Sequence, residues 1–481
     1  VIELLVAAFA APLVGVAVTF TPKGREHALW VLLAAALATT GATIGALAAG
    51  PLDAPVAFLD RYFVADALSR LLAVTISVVF LGVALYTRHR VLTAPELRPY
   101  LVAFTRLSLP FLSASLAALL GQHLVLTWVF VEATTLTAAP LICHRADGDT
   151  AVAWRYLMFS TVGLGLVFLG FVCLGIAIEG APGETRFLVD ELGAAAARPS
   201  VWRRIGLALV ILGYGTKLGL APMYAWLPET YDAAPPSVTT LLAAIQTSVV
   251  FLALMRVLQV YRPLEPELTS YELVGLGMAS MVLSTVHLVA ATNYKRLLAY
   301  AAMNHNAVVA VGLGIGKAAI FGVVLYLTTN ALVKAILFLA CGNIKARYKT
   351  KSVAELRGLV DHMPYSGALF MLGTFALLGF APFGSFLGEV LIMGGLMEAN
   401  HAVMFIAFAV LFTVVFIATG RSLFPMIWGE LPSKVDWRGE SAGSILPTLV
   451  PLSLLLLIGV SIPSSIDTIF EHAALAMGGA R

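Results

Sequence analysis

The 481-residue chain is 60 % apolar and 12 % charged, with 30 Lys and Arg against 27 Asp and Glu and a net charge of +3. A soluble chain carries about 25 % charged residues, so this composition excludes an ordinary cytosolic enzyme, a disordered protein and a secreted disulfide scaffold. The small, dispersed positive charge gives no reason to expect a nucleic-acid partner. At about 20 apolar residues per helical crossing of the hydrocarbon core, the apolar content suffices for about fourteen spans. The expected fold class is an all-α, polytopic membrane protein.

The opening run, Val1-Ile2-Glu3 onward, lacks the basic leader segment of a signal peptide and reads as a retained first span over 1–20. Weakly charged runs then predict spans at 28–49, 66–87, 101–119, 122–143, 151–178, 202–222, 237–259, 271–292, 297–315, 318–341, 365–397, 402–424 and 446–466. The seventh carries Gly213, Gly215, Gly219 and Pro222. The twelfth is too long for one straight crossing and contains Gly379, Pro382, Gly384 and Gly388. Such residues interrupt the helical hydrogen-bond ladder, and freed backbone groups at membrane depth are tolerated only against protein or water. Two interrupted spans five positions apart predict internal repeats made of spans 4–8 and 9–13, inverted because each has an odd number of helices. The expected division is helices 1–3 over residues 1–100, a first repeat over 101–260, a second over 261–425, and a last helix within 426–481.

With the N-terminus outside, 17 of the 30 Lys and Arg, Lys434 and Arg438 among them, fall in cytoplasmic loops. Nine fall on the other side: Arg61, Arg186, Arg198, Arg203, Arg204, Arg256, Arg262, Lys317 and Arg481. This bias predicts both termini on the non-cytoplasmic side of the inner membrane. Cys143, Cys173 and Cys341 stand singly in apolar segments, so neither an iron–sulfur cluster nor a structural zinc is expected, and the thiols read as small hydrophobes. Gly312-x-Gly314-x-Gly316 follows no strand and is not read as a dinucleotide site. With no Walker pattern and no metal-spaced His and Glu, no cofactor and no catalytic site are expected. The chain needs a partner or an ion gradient to do work.

A charge in the hydrocarbon region costs at least about 2.5–3.5 kcal/mol, yet Arg70, Arg106, Glu132, Lys217, Lys334 and Glu389 lie well inside spans. Arg70 follows Asp66 by one turn, which predicts a structural pair. Arg106 is near enough to a span end to reach the surface. Glu132 is mid-span with no opposite charge on its own helix, so a partner from another span is expected, and Lys217 on the broken seventh span is the candidate. A buried lysine is pushed toward its neutral form and drawn back by a carboxylate, so a moving pair of this kind could take and release a proton. Lys334 and Glu389 repeat the theme in the second half, Glu389 again on an interrupted span. His305 reads equally as a relay group or a packing residue, and His287 as structural.

Three stretches resemble one family: Lys217 with Gly219-Leu220-Ala221-Pro222-Met223-Tyr224-Ala225-Trp226-Leu227-Pro228-Glu229, then Lys295-Arg296-Leu297-Leu298-Ala299-Tyr300, then Pro382-Phe383-Gly384 through Glu389. They are similar to the antiporter-like, proton-conducting membrane subunits of respiratory complex I, shared with multi-subunit cation/proton antiporters and membrane-bound hydrogenases. Glu132-Ala133-Thr134-Thr135-Leu136 and Ala139-Pro140-Leu141-Ile142 look most like component F of hydrogenase 4. The resemblance implies fourteen helices, two inverted five-helix repeats, and a hydrated axis on which Glu132, Lys217, His305, Lys334 and Glu389 carry protons. At two axis positions this chain departs from the family, with Ser248 on helix 8 and Asn330 on helix 11 as polar substitutes that cannot store a proton.

The resemblance thus implies a proton-translocating subunit of a multi-subunit energy-converting complex. Its partners would be the lipid bilayer, H+, other membrane subunits and a soluble catalytic partner such as hydrogenase and iron–sulfur subunits. Three alternatives stand beside it. One is the membrane subunit of a DAB-type inorganic-carbon uptake complex with a zinc-dependent, carbonic-anhydrase-like partner. The others are a cation/proton antiporter subunit and a non-conducting membrane scaffold.

Overall fold

In lipid, every backbone N–H and C=O must be satisfied within the protein, so long apolar runs become helices. The computed structural model describes residues 1–145, 148–178, 187–195, 199–430 and 440–479. Arg186, Arg198, Lys434, Arg438 and Arg481 of the charge count lie outside the described residues. In chain order the longer helices are α1 (Ile2–Val18), α2 (Ala28–Ala48), α3 (Ala67–Thr93), α4 (Arg98–Leu120), α5 (Leu124–Ile142) and α6 (Thr150–Ala177). There follow α7 (Val201–Lys217), α8 (Trp226–Ala233), α9 (Pro236–Tyr261), α10 (Pro266–Ala290), α11 (Tyr294–Ile315) and α12 (Lys317–Tyr348). The last are α13 (Pro364–Leu377), α14 (Gly384–Glu398), α15 (Ala402–Trp428), α16 (Leu446–Val460) and α17 (Ser464–Leu475). A small antiparallel hairpin, β1 (Val56–Phe58) and β2 (Phe63–Ala65), pairs Val56 with Ala65 before α3.

Among the described residues ten helices are long and apolar enough to cross a membrane, or eleven with α16 and α17 counted together. The chain is an all-α, multi-pass membrane protein. The run predicted over 446–466 turns by 87° between α16 and α17. Pro463 stands at the N-cap of α17, where it cannot continue the preceding ladder. Helix starts follow their caps: the carboxylates of Asp66 and Asp149 and the amide oxygen of Asn293 each accept first-turn N–H groups.

α9 and α12 form the axis of the molecule, their most apolar stretches enclosed throughout by the other helices. α15 lies at the periphery. α6 and α7 pack closely because glycines meet across the contact: a Cβ on Gly213 would lie 2.5 Å from the Gly163 carbonyl oxygen, and one on Gly170 would lie 2.7 Å from that of Gly206. Small facing residues let two backbones approach where lipid gives no hydrophobic drive to associate. This contact fixes the end of α7, where Lys217 sits.

Both predicted interruptions are present, and they are built alike. α7 ends at Lys217, Gly219 takes φ +70°, and Leu220 N–H donates to the Gly215 carbonyl at 2.8 Å. α13 ends at Leu377, Gly379 takes φ +67°, and Phe380 N–H donates to the Phe375 carbonyl at 3.1 Å. This is the six-to-one bond of a Schellman ending, whose left-handed residue favours glycine. A cis peptide precedes Pro222 and Pro382. The underlying sequence, Leu218-Gly219-Leu220-Ala221-Pro222, recurs as Leu378-Gly379-Phe380-Ala381-Pro382.

The pairing expected between Arg70 and Asp66 is not formed. Asp66 caps α3 through Ser69 and ion-pairs with Arg256 of α9 at 2.6 Å. Arg70 instead donates to the carbonyls of Ala65 and Pro51, each at 3.2 Å. The Asp66 carboxylate is occupied at both oxygens, Oδ1 accepting from Ser69 and Oδ2 from Arg256. Arg106 ties α4 to the end of α1, donating to the Thr19 carbonyl at 2.7 Å and lying 4.1 Å from the Phe20 ring centroid. His287 donates within its own turn and stacks on Tyr300, a packing role.

Candidate functional site

Lys217, His305, Lys334 and Glu389 are each at most 3 % exposed, so their polar atoms depend on protein partners. They fall into two clusters joined at the centre. In the first, Thr134 and Thr135 of α5 both donate their hydroxyl protons to the Val131 carbonyl, at 2.6 and 3.3 Å. Their lone pairs are then free to accept. Lys217 Nζ donates to Thr135 Oγ1 at 2.7 Å and to the Tyr156 hydroxyl at 3.3 Å, and lies 4.9 Å from the Tyr156 ring centroid. Gln246 Nε2 donates to Thr134 Oγ1 at 3.1 Å and approaches the Tyr156 hydroxyl at 3.0 Å. As the last residue of α7, Lys217 also stands at the negative end of that half-helix dipole.

Glu132 lies one turn before Thr135 and is half-buried. Its Oε1 accepts from Thr161 of α6 at 3.4 Å, and Oε2 has no partner among the described residues. The direct Glu132–Lys217 pair expected from the sequence is therefore absent among the described residues. The ammonium reaches Thr135 and Tyr156, while the carboxylate one turn away faces α6.

Ser248 also departs from expectation. Its hydroxyl donates to the Ala244 carbonyl at 2.8 Å, within its own helix. α9 contains a π-helical turn over Leu241–Gln246, a widened turn of the kind found at functional positions. It brings Gln246, not Ser248, against the Lys217 cluster.

In the second cluster, Tyr326 of α12 donates to Glu389 Oε1 at 2.9 Å and bonds to His305 Nδ1 of α11. His305 Nδ1 is 3.9 Å from Glu389 Oε1. The other carboxylate oxygen lies against Gly379, 2.2 Å from where a Cβ would stand, so the break in the twelfth predicted span is shaped around this glutamate.

Asn306 joins the clusters. Its Nδ2 donates to the Leu218 carbonyl at 2.9 Å, next to Lys217, and its Oδ1 accepts from Lys334 Nζ at 2.8 Å. Tyr326, Asn330 and Lys334 recur at every fourth residue of α12, one face of a helix that rises about 12 Å over that stretch. Asn330 Oδ1 is buried with no partner among the described residues. Leaving such an acceptor unmet costs about 1–3 kcal/mol.

The structure thus brings Lys217, His305, Lys334 and Glu389 onto one polar line with Glu132 at its edge. Sequence reading did not assign Tyr156, Gln246, Asn306 or Tyr326. The four-residue periodicity of Tyr326, Asn330 and Lys334 is a signal that could have found one of them.

The transmembrane family model described as "NADH:quinone oxidoreductase/Mrp antiporter" matches residues 121–416, a segment that contains both clusters. A hydrogenase-4 component F homolog from Methylacidiphilum infernorum is 26 % identical over 370 residues, covering 75 % of this chain and 76 % of the relative. A chain of the membrane-bound sulfane sulfur reductase, an archaeal respiratory membrane complex, aligns with a TM-score of 0.86 at 20 % identity, over 99 % of this chain and 98 % of that one. A chain of the Mrp complex from Dietzia sp. aligns with a TM-score of 0.84 at 18 % identity, over 99 % and 96 %. At these identities the two structural likenesses are of fold.

Proposed function

Since the chain belongs to the NADH:quinone oxidoreductase/Mrp antiporter membrane family, we propose that it is a proton-translocating subunit of a multi-subunit energy-converting complex. In this reading it has about fourteen spans, two inverted five-helix repeats and both termini outside the inner membrane. The recurrence of one helix ending at Gly219 and Gly379 supports the repeats. The likeness to a hydrogenase-4 component F homolog supports a hydrogenase-type complex with a soluble catalytic partner.

The observation that carries the reading is the bridge from the Leu218 carbonyl through Asn306 to Lys334. It links the Lys334 ammonium, through one amide, to the backbone carbonyl of the residue that follows Lys217. Intramembrane ionisable groups that face the bundle interior mark ion pathways. Protons enter beside Glu132 and Lys217, pass the midplane by Asn306 and Lys334, and leave by His305, Tyr326 and Glu389. Lys217 acts as the store in the first half, because a shift of its ammonium from Thr135 toward Glu132 would change the charge that Tyr156 and Gln246 face. Asn306 and Asn330 store no proton and serve as orienting dipoles.

Replacing Lys217 with Met in the assembled complex tests this reading. Proton transport measured in proteoliposomes should be lost while native gels show intact assembly; normal transport in the variant refutes the reading. Identifying the chains that co-purify assigns the complex.

A further inference from the structure

A second polar feature lies away from that line. A cavity of about 1060 Å³ opens at the end of α9, between the β1–β2 region, the start of α12 and the end of α17, and none of the residues proposed to carry protons lines it. Leu52, Pro55, Val64, Leu258 and Met477 make part of its wall apolar, whereas Arg256, Arg262 and Lys317 make another part cationic.

Two of the carboxylates on the wall are already engaged. Asp66 accepts from Ser69 N–H and from Arg256 Nη1 at 2.6 Å, and Asp190 accepts from Arg61 at 2.6 Å. A third, Asp53, is exposed. The cations have unused donors. Arg256 is 1 % exposed, and its Nε and Nη2 have no acceptor among the described residues. A buried charged donor left unmet is among the more expensive features a fold can carry.

Arg262 lines the same cavity and is held by the Gly312-x-Gly314-x-Gly316 stretch that carries no nucleotide reading. Its Nη2 donates to the Gly314 carbonyl at 3.2 Å. The guanidinium lies across Gly316, where φ is +94° and a Cβ would fall 1.9 Å from Nη2, so only glycine leaves room for it. Lys317 is next in the chain, exposed, the first residue of the 32-residue α12. Free N–H groups and the helix dipole at that end add to the attraction for an anion. Arg61, Arg256, Arg262 and Lys317 are four of the nine cations that sequence reading assigns to the side poor in Lys and Arg, and all four line this cavity.

We propose that this cavity binds the phosphodiester headgroup of an anionic membrane lipid, with Arg256, Arg262 and Lys317 on the phosphate and the apolar wall along the glycerol and acyl chains. Phosphate oxygens supply the acceptors the guanidinium lacks, in the geometry arginine recognises. A free phosphate ion would share that chemistry and make no use of the apolar wall.

The test uses the full chain purified in detergent, titrated with dioleoylphosphatidylglycerol, dioleoylphosphatidylcholine or inorganic phosphate. Binding is read by native mass spectrometry and by the thermal unfolding midpoint. The comparison is the double variant Arg262→Gln, Lys317→Gln, which leaves the Asp66–Arg256 pair in place, with Arg262→Lys as a charge-preserving control. The phosphatidylglycerol should bind saturably and raise the midpoint, while the other two should not. At about a tenfold loss for each 1.4 kcal/mol and about 1 kcal/mol per basic residue, the double variant should bind about thirtyfold more weakly. The control should stay near wild type. No preference for phosphatidylglycerol in the wild-type chain, or equal binding by the double variant, overturns the proposal. A phosphate effect equal to that of the lipid overturns the lipid assignment.

Discussion

Truncating Asn306 to Ala removes a side chain that touches both halves of the polar line. Two contacts are lost: the hydrogen bond from Lys334 Nζ at 2.8 Å and the one to the Leu218 carbonyl at 2.9 Å. A hydrogen bond to a charged group is worth about 1.5–3 kcal/mol, and a neutral one about 0.5–1.5 kcal/mol. Within membranes measured values average nearer 0.6 kcal/mol, so about 2 kcal/mol is a fair total. If protons cross by this bridge, that loss raises the transfer barrier and slows proton transport by about thirtyfold, at 1.36 kcal/mol per decade. The assay is dye-reported proton uptake by the complex in proteoliposomes, normalised to the amount assembled on native gels. Asn306→Asp, which keeps an acceptor for Lys334, should assemble normally and separate a lost bridge from a lost fold. Transport within twofold of wild type in a fully assembled Asn306→Ala complex would refute the central bridge.

Three further outcomes follow from the same geometry, besides the loss expected of Lys217→Met. Tyr326→Phe removes the hydroxyl between His305 and Glu389; proton transport should fall by at least about tenfold with little change in assembly, as read in the same liposomes. Ser248→Ala should leave both transport and thermal stability close to wild type, because its hydroxyl donates to the Ala244 carbonyl of its own helix. Gly379→Ala forces a side chain into φ +67° and sets a Cβ 2.2 Å from Glu389 Oε2. A left-handed non-glycine residue costs about 1–2 kcal/mol, so thermal unfolding should move down and transport should drop with it.

Several particulars of the site were readable without coordinates. Lys217, Lys334 and Glu389 stand out in the chain because a charge among apolar residues is expensive wherever the helix lies, and each is buried on the central line. The breaks after Lys217 and Leu377 were readable from glycine and proline, whose backbone effects are local. The partners were not readable, because they come from distant parts of the chain. Lys217 meets Thr135 across 82 residues, Asn306 meets Leu218 across 88, and Arg256 meets Asp66 across 190. α9 shows the limit most clearly: one widened turn exchanged Ser248 for Gln246, and no residue type in Leu241–Gln246 announces it.

The amino-acid sequence by itself determined the membrane class, the approximate bounds of the apolar helices, the two interrupted ones and the charges that need an explanation. All of these depend on composition, spacing and local backbone geometry. Only the tertiary structure decided that Lys217 rests on hydroxyls and not on Glu132, that Asp66 belongs to Arg256, that Asn306 joins the two clusters, and that a glycine-rich turn seats an arginine beside a cavity. Those choices depend on which helix faces meet, and a single α-helix carries no record of its neighbours.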